Sequence, residues 1–258
     1  MAGCRDQGST CQCTNPQNVN DGTLPRTEGS PAGTLGLCTN TGPDTSWPWG
    51  FKEAIKWQVG KVLPQSLGGD PNILRNYKDG WVRAHRQAIK SLSAQYGLPP
   101  VLLAGVAWAE LGGKPYDGKI IVYDVRKFDH SWDSLLESLT MTKKPELTSM
   151  GPVAIQLRRA AETMGFEFDS LNEKDKQRLV ECLQNSDNNL AISAKHLWQL
   201  KQIDFPNQTS LGAYEIRVIG TRYNRGPDLT LPLILRNTSY GDSIVRKSGW
   251  LQKLLDDE

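Results

Sequence analysis

The chain runs apolar from Val101 to Ala109, meets a carboxylate at Glu110, and breaks on Gly112 and Gly113. Pro99 and Pro100 open this segment and Gly97 closes the one before it, the punctuation of a helix start. On a helix, Leu103, Val106, Ala107 and Glu110 share one face, the face that turns inward. Whatever this chain folds into must therefore accommodate an acid at the end of an apolar helix. Desolvation disfavours the charged carboxylate there, and the negative end of the helix dipole repels it. Both effects raise a carboxyl pKa, which is the property a general acid needs near neutral pH. Taken alone, the plainer reading is a helix-end charge turned to water or paired with Lys114.

The surroundings of this segment are also helical. Pro71 can open a helix in which Leu74, Tyr77, Trp81, Ala88, Leu92 and Tyr96 recur at three- and four-residue steps. A further helix follows "SMGP", with Val153, Leu157, Ala160 and Met164 as its stripe and Gly165 as its stop. Another starts near Asp187 or Asn188 and carries Leu190, Ala194, Leu197 and Trp198. Ile216, Ile219 and Tyr223 mark the next, ended by Gly226-Pro227, and the last spans roughly 240 to 255. "KIIVYDVRKF" (119–128) alternates enough for a short strand or hairpin arm. The expected class is mostly α, an α+β fold with a small β element.

Composition divides the chain and limits its partners. Residues 1–46 are rich in Gly, Thr, Pro, Asn and Ser and poor in large apolar groups, so they read as an irregular tail. Residues 47–258 read as one domain with an aromatic and helical lead-in containing Trp47, Trp49, Phe51, Ile55 and Trp57. A formal charge of +2 without a Lys/Arg cluster gives no footprint for nucleic acid. No apolar run is long enough to span a bilayer, and the first residues lack the apolar stretch of a cleaved signal. Cys4, Cys11, Cys13 and Cys38 fall in the tail without paired C-x2-C knuckles. They read as incidental thiols or as disulfides of an oxidising compartment, with a metal site the weakest option. Cys182, inside the helical pattern "DKQRLVECLQN", reads as a small core residue.

No phosphate loop, G-x-S-x-G or H-E-x-x-H occurs, and His85, His130 and His196 are far apart. What remains is a set of motifs in order. Glu110-Leu111 ends the apolar helix, and Ser149-x-Gly151 with Gln156 follows. Asn189-Leu190 comes next with His196-Leu197, and then Arg222-Tyr223-Asn224-Arg225-Gly226. Over residues 98–227 this series resembles the lysozyme-like superfamily, especially soluble lytic transglycosylases and goose-type lysozymes. The family's usual Ser after the Glu is Leu111 here, and its Gly-Leu-Met-Gln is Val-Ala-Ile-Gln. The long gap from Glu110 to Gln156 implies an insertion around 117–147.

The resemblance implies a lysozyme-like helical domain cleaving the bond between N-acetylmuramic acid and N-acetylglucosamine. Glu110 would be the general acid, needing no cofactor or metal. Tyr223 would orient that carboxyl or a sugar, Ser149 and Gln156 would line the groove, and Asn224 would fix the turn. A transglycosylase needs only this carboxylate. A hydrolase needs a second carboxylate or a positioned water, for which Asp117, Asp124, Asp129 and Asp133 are available, Asp124 first. The resemblance also suits an antagonistic effector, of the kind carried by type VI secretion, that acts in the periplasm or cell wall of a target bacterium. Its partners would be peptidoglycan, a secretion carrier and a cognate immunity protein. A phage or autolytic muramidase, and a peptidoglycan-binding module without chemistry, are the alternatives.

Overall fold

The computed structural model describes Cys38, residues 72–111 and residues 147–257. The irregular tail, the aromatic lead-in, the 119–128 strand, the insertion and Asp117, Asp124, Asp129 and Asp133 lie outside these, apart from Cys38. The described part is mostly helical, and among the described residues no helix is long and apolar enough to cross a membrane.

Helices α1 (Ile73–Ala84) and α2 (Arg86–Tyr96) stand where a single helix is expected. They part at His85, whose Nδ1 donates to the Trp81 carbonyl at 2.8 Å while its ring stacks on Trp81. A side chain that enters the backbone ladder in this way bends the helix. Gly97, in the left-handed region at φ 60°, ends α2. Helix α3 (Pro100–Glu110) then starts on its proline and buries every residue from Leu102 to Ala107. It lies at the centre of the first core, packed by α1, α2 and the later helices.

After α3 the description resumes at a two-stranded antiparallel hairpin, β1 (Ser149–Met150) and β2 (Ile155–Gln156). Its register pairs Ser149 with Gln156 and Met150 with Ile155. Successive strand residues face opposite sides. Met150 and Ile155 are buried, and Ser149 and Gln156 share the other face. Helix α4 (Leu157–Met164) therefore begins later than its apolar stripe suggests. Val153 belongs to the tight turn, and Gln156 to the strand that precedes the helix. That turn needs Gly151 at φ 70°, where a Cβ would overlap the Leu183 carbonyl and the Asn189 side chain.

A short 3-10 turn (Phe168–Ser170) leads to α5 (Glu173–Gln184), and Asn172 caps α5 by accepting from the Asp175 amide. Asn185 does the same for α6 (Ser186–Asp204), the longest helix of the described residues. Leu190, Leu197 and Leu200 of α6 enter the first core, and Ile192 enters a second core built by β1, β2, α4 and α5. Cys182 of α5 is not simply a core residue. It forms a disulfide with Cys38, which ties the N-terminal segment to the second core across a separation of 144 residues. Helices α7 (Ala213–Arg225), α8 (Leu231–Leu235) and α9 (Ser239–Asp256) complete the first core.

Helix α9 lies close against both α3 and α7. A Cβ on Gly241 would overlap the Arg217 carbonyl of α7, and Gly105 of α3 and Gly220 of α7 both abut Ile244 of α9. This close approach brings the start of α9 to the end of α3.

Candidate active site

Glu110 is the last residue of α3 and half-buried, and it opens on a cleft of about 440 Å³. Ser149, Gln156, Tyr223 and Asn224 line the same cleft, so four of the expected site residues converge on Glu110 from two other parts of the fold. Ser149 and Gln156 arrive as neighbours across the hairpin, and Tyr223 and Asn224 arrive on the last turn of α7. Asp124 lies outside the described residues.

The carboxylate is held by a residue that the motifs do not include. Tyr240, on the first turn of α9, donates its hydroxyl to Glu110 Oε1 at 2.8 Å. Burial, and then the Glu110 charge, push the Tyr240 phenol far above its usual range, so it remains a donor throughout the working pH range. The sequence carried one faint signal, a Tyr beside Gly241 at a helix start, but nothing to tie it to a residue 130 positions earlier.

The Tyr223 hydroxyl bonds the hairpin turn. It donates to the Val153 carbonyl at 2.9 Å, with Ser193 Oγ at 3.4 Å. It thereby ties the hairpin turn to α7, with α6 alongside. Burial raises its pKa, and the nearby Glu110 charge adds to the shift. Asn189 holds the same turn from α6, accepting from the Val153 amide at 2.8 Å and donating to the Met150 carbonyl at 3.3 Å. These bonds leave the buried turn with its polar groups paired and set the position of Ser149 and Gln156.

No protein-family model, curated protein or solved structure matches the chain.

The rest of the cleft carries three arginines, Arg158, Arg159 and Arg225. Arg159 donates to Glu162 at 2.7 Å and to Asp228 at 2.5 Å. Asp228 is the other carboxylate lining the cleft among the described residues, and it is exposed and neutralised by this pair. His196, also in the wall, is buried with Nδ1 at 3.1 Å from Thr163 Oγ1. Burial, reinforced by the Arg159 charge, lowers its pKa to about 3, so the imidazole is neutral at any ordinary pH. Arg222, which shares a motif with Tyr223 and Asn224, points away into the protein. It pairs bidentately with Asp204 and donates to the Pro227 and Leu229 carbonyls at 3.0 and 2.8 Å. It closes the turn after α7, which lets Asn224 and Gly226 form the rim. Asn224 itself is exposed.

This arrangement can deliver and recover one proton. A carboxyl group stands at the wall of an open cleft, one of its oxygens is occupied by a fixed donor, and polar side chains for a hydroxyl-rich ligand lie across from it.

Proposed function

We propose that the protein cleaves the glycan strands of peptidoglycan, with Glu110 as the acid and a lysozyme-like domain as its scaffold. The observation that carries this reading is the meeting of Glu110, Ser149, Gln156, Tyr223 and Asn224 in one cleft. Those residues belong to three separate stretches, and all but Glu110 were selected by the motif resemblance alone.

In this mechanism the strand lies along the cleft with its glycosidic oxygen at Glu110. Glu110, held at Oε1 by the Tyr240 hydroxyl, presents its proton to the oxygen between N-acetylmuramic acid and N-acetylglucosamine. The bond breaks as positive charge develops at the anomeric carbon of the muramic sugar. The ionised Glu110, steadied by the Tyr240 donor, then takes a proton from the incoming nucleophile. Among the described residues Asp228 is engaged by Arg159, which leaves Glu110 as the carboxylate that acts first as acid and then as base. The muramic 6-hydroxyl serves as nucleophile in a transglycosylase, water in a hydrolase.

The Cys38–Cys182 disulfide supports work in an oxidising compartment, which suits action in the periplasm or cell wall of a target bacterium. On this proposal the protein is an antagonistic effector, with a secretion carrier and an immunity protein as partners. The test is turbidity of purified sacculi. Wild type should clear them and Glu110→Gln should not, and equal clearing by both removes the catalytic assignment.

A further inference from the structure

A second concave surface lies beside the last turn of α3, about 500 Å³ in volume. Trp108 of α3 and Trp250 of α9 form its floor, edge to face with ring centroids 5.4 Å apart. Trp108 is fixed from beneath by its Nε1 donating to Asp79 at 2.9 Å. Around the two indoles stand four cations. Lys78 Nζ lies 4.6 Å and Lys247 Nζ 4.9 Å from the Trp108 ring, Arg75 lies 5.0 Å from Trp250, and Arg246 completes the lining.

Among the described residues, no carboxylate lines this groove. Arg75 reaches Asp79 at 3.8 Å, whereas Lys78, Arg246 and Lys247 are in no ion pair among the described residues. The whole chain has a formal charge of only +2, so four cations on one groove are a local concentration of charge. Like charges held together on apolar rings repel one another and are partly desolvated, and both effects are relieved by an anionic ligand. The two tryptophans call for a ligand that is also rich in methyl and methylene groups.

Resting on the glycan-cleaving reading above, we propose that this groove binds the carboxylate-bearing stem peptide of the peptidoglycan substrate. Trp108 and Glu110 are two residues apart on one helix, so their side chains leave it on nearly opposite sides. A helix is roughly 10 Å across. An extended peptide spans about 3.3 Å per residue, so three or four residues attached to a muramic sugar at Glu110 reach the indoles. Lys78 joins the two places: its Nζ lies 3.4 Å from the Ala109 carbonyl and within electrostatic reach of Glu110. The groove thus selects peptide-bearing strands over bare glycan.

Calorimetry on the full chain with N-acetyl-L-Ala-γ-D-Glu-L-Lys-D-Ala, whose blocked amine leaves it net anionic as it is on the strand, tests this, alongside cleavage of sacculi with and without their peptides. The tetrapeptide should bind in a salt-sensitive way, and roughly tenfold more weakly to an Arg246→Gln/Lys247→Gln double variant. That variant should slow on peptide-bearing strands yet match wild type on stripped strands. Equal binding by variant and wild type, or no binding at all, overturns the proposal. So does tighter binding of tetraglutamate, which would assign the groove to an acidic protein partner. If wild type cleaves neither kind of strand but the Arg246- and Lys247-dependent binding is present, the cleavage reading fails and the peptide site stands.

Discussion

At the scale of single residues, Glu110 and Tyr240 form the pair on which the proposed chemistry depends. Glu110→Gln keeps size and hydrogen bonding but removes the proton, and turnover should fall roughly 10²–10⁴-fold at nearly unchanged Tm. Tyr240→Phe removes the donor to Oε1 at 2.8 Å. Its kcat should fall roughly tenfold, with KM little altered. Because that donor favours the ionised carboxylate, the alkaline limb of the pH–rate profile should move to higher pH in this variant. An unshifted limb would mean that Tyr240 only fills space. His196 makes a stability prediction. Between pH 6.5 and about 3 the unfolded chain protonates this imidazole and the folded chain does not. Stability is therefore complete above pH 6.5 and declines as pH falls, by up to about 1.4 kcal/mol per pH unit. Urea midpoints at pH 7 and pH 5 should differ less in His196→Gln than in wild type.

At the scale of elements, the approach of α9 to α3 and α7 decides where Tyr240 stands. Gly241→Ala would drive a methyl group into the Arg217 carbonyl. Thermal melts should record a loss of about 1–3 kcal/mol, with a fall in activity because the neighbouring Tyr240 moves with the helix. The helices themselves were legible in the sequence. Pro100, Gly165 and Gly226 sit at boundaries they were expected to mark, and Asn189 and Tyr223 stand beside the turn that forms the cleft wall. What periodicity could not convey was a hydrogen bond made by one side chain. The His85 bond to Trp81 divides a helix whose apolar stripe runs through the break without interruption. Likewise Ser149-Met150 and Ile155-Gln156 are too short to show alternation, so the hairpin reads as the start of a helix. Tyr240 could not be assigned to the site from the sequence because its partner lies 130 residues away. Asp124 and the 119–128 strand fall outside the described residues.

At the scale of the whole molecule, two cores meet along α6, and the cleft lies where they join. The first core carries Glu110 and Tyr240, and the second carries the hairpin with Ser149 and Gln156. Cys38–Cys182 fastens the second core to the N-terminal segment. Spacing alone could not predict it, because the partners are separated by 144 residues and one lies in a helical pattern. Cys182→Ser should lower stability by about 2–5 kcal/mol. A reductant should destabilise wild type by a similar amount, read as a lower Tm, and leave the variant unchanged. On the proposed function, the cleft cuts glycan strands with Glu110 as its acid. Mass spectrometry of the material released from purified sacculi tests it most directly. Wild type should release disaccharide muropeptides ending in an anhydro or a reducing muramic sugar, and Glu110→Gln should release none; intact glycan strands after prolonged exposure to wild type would contradict it.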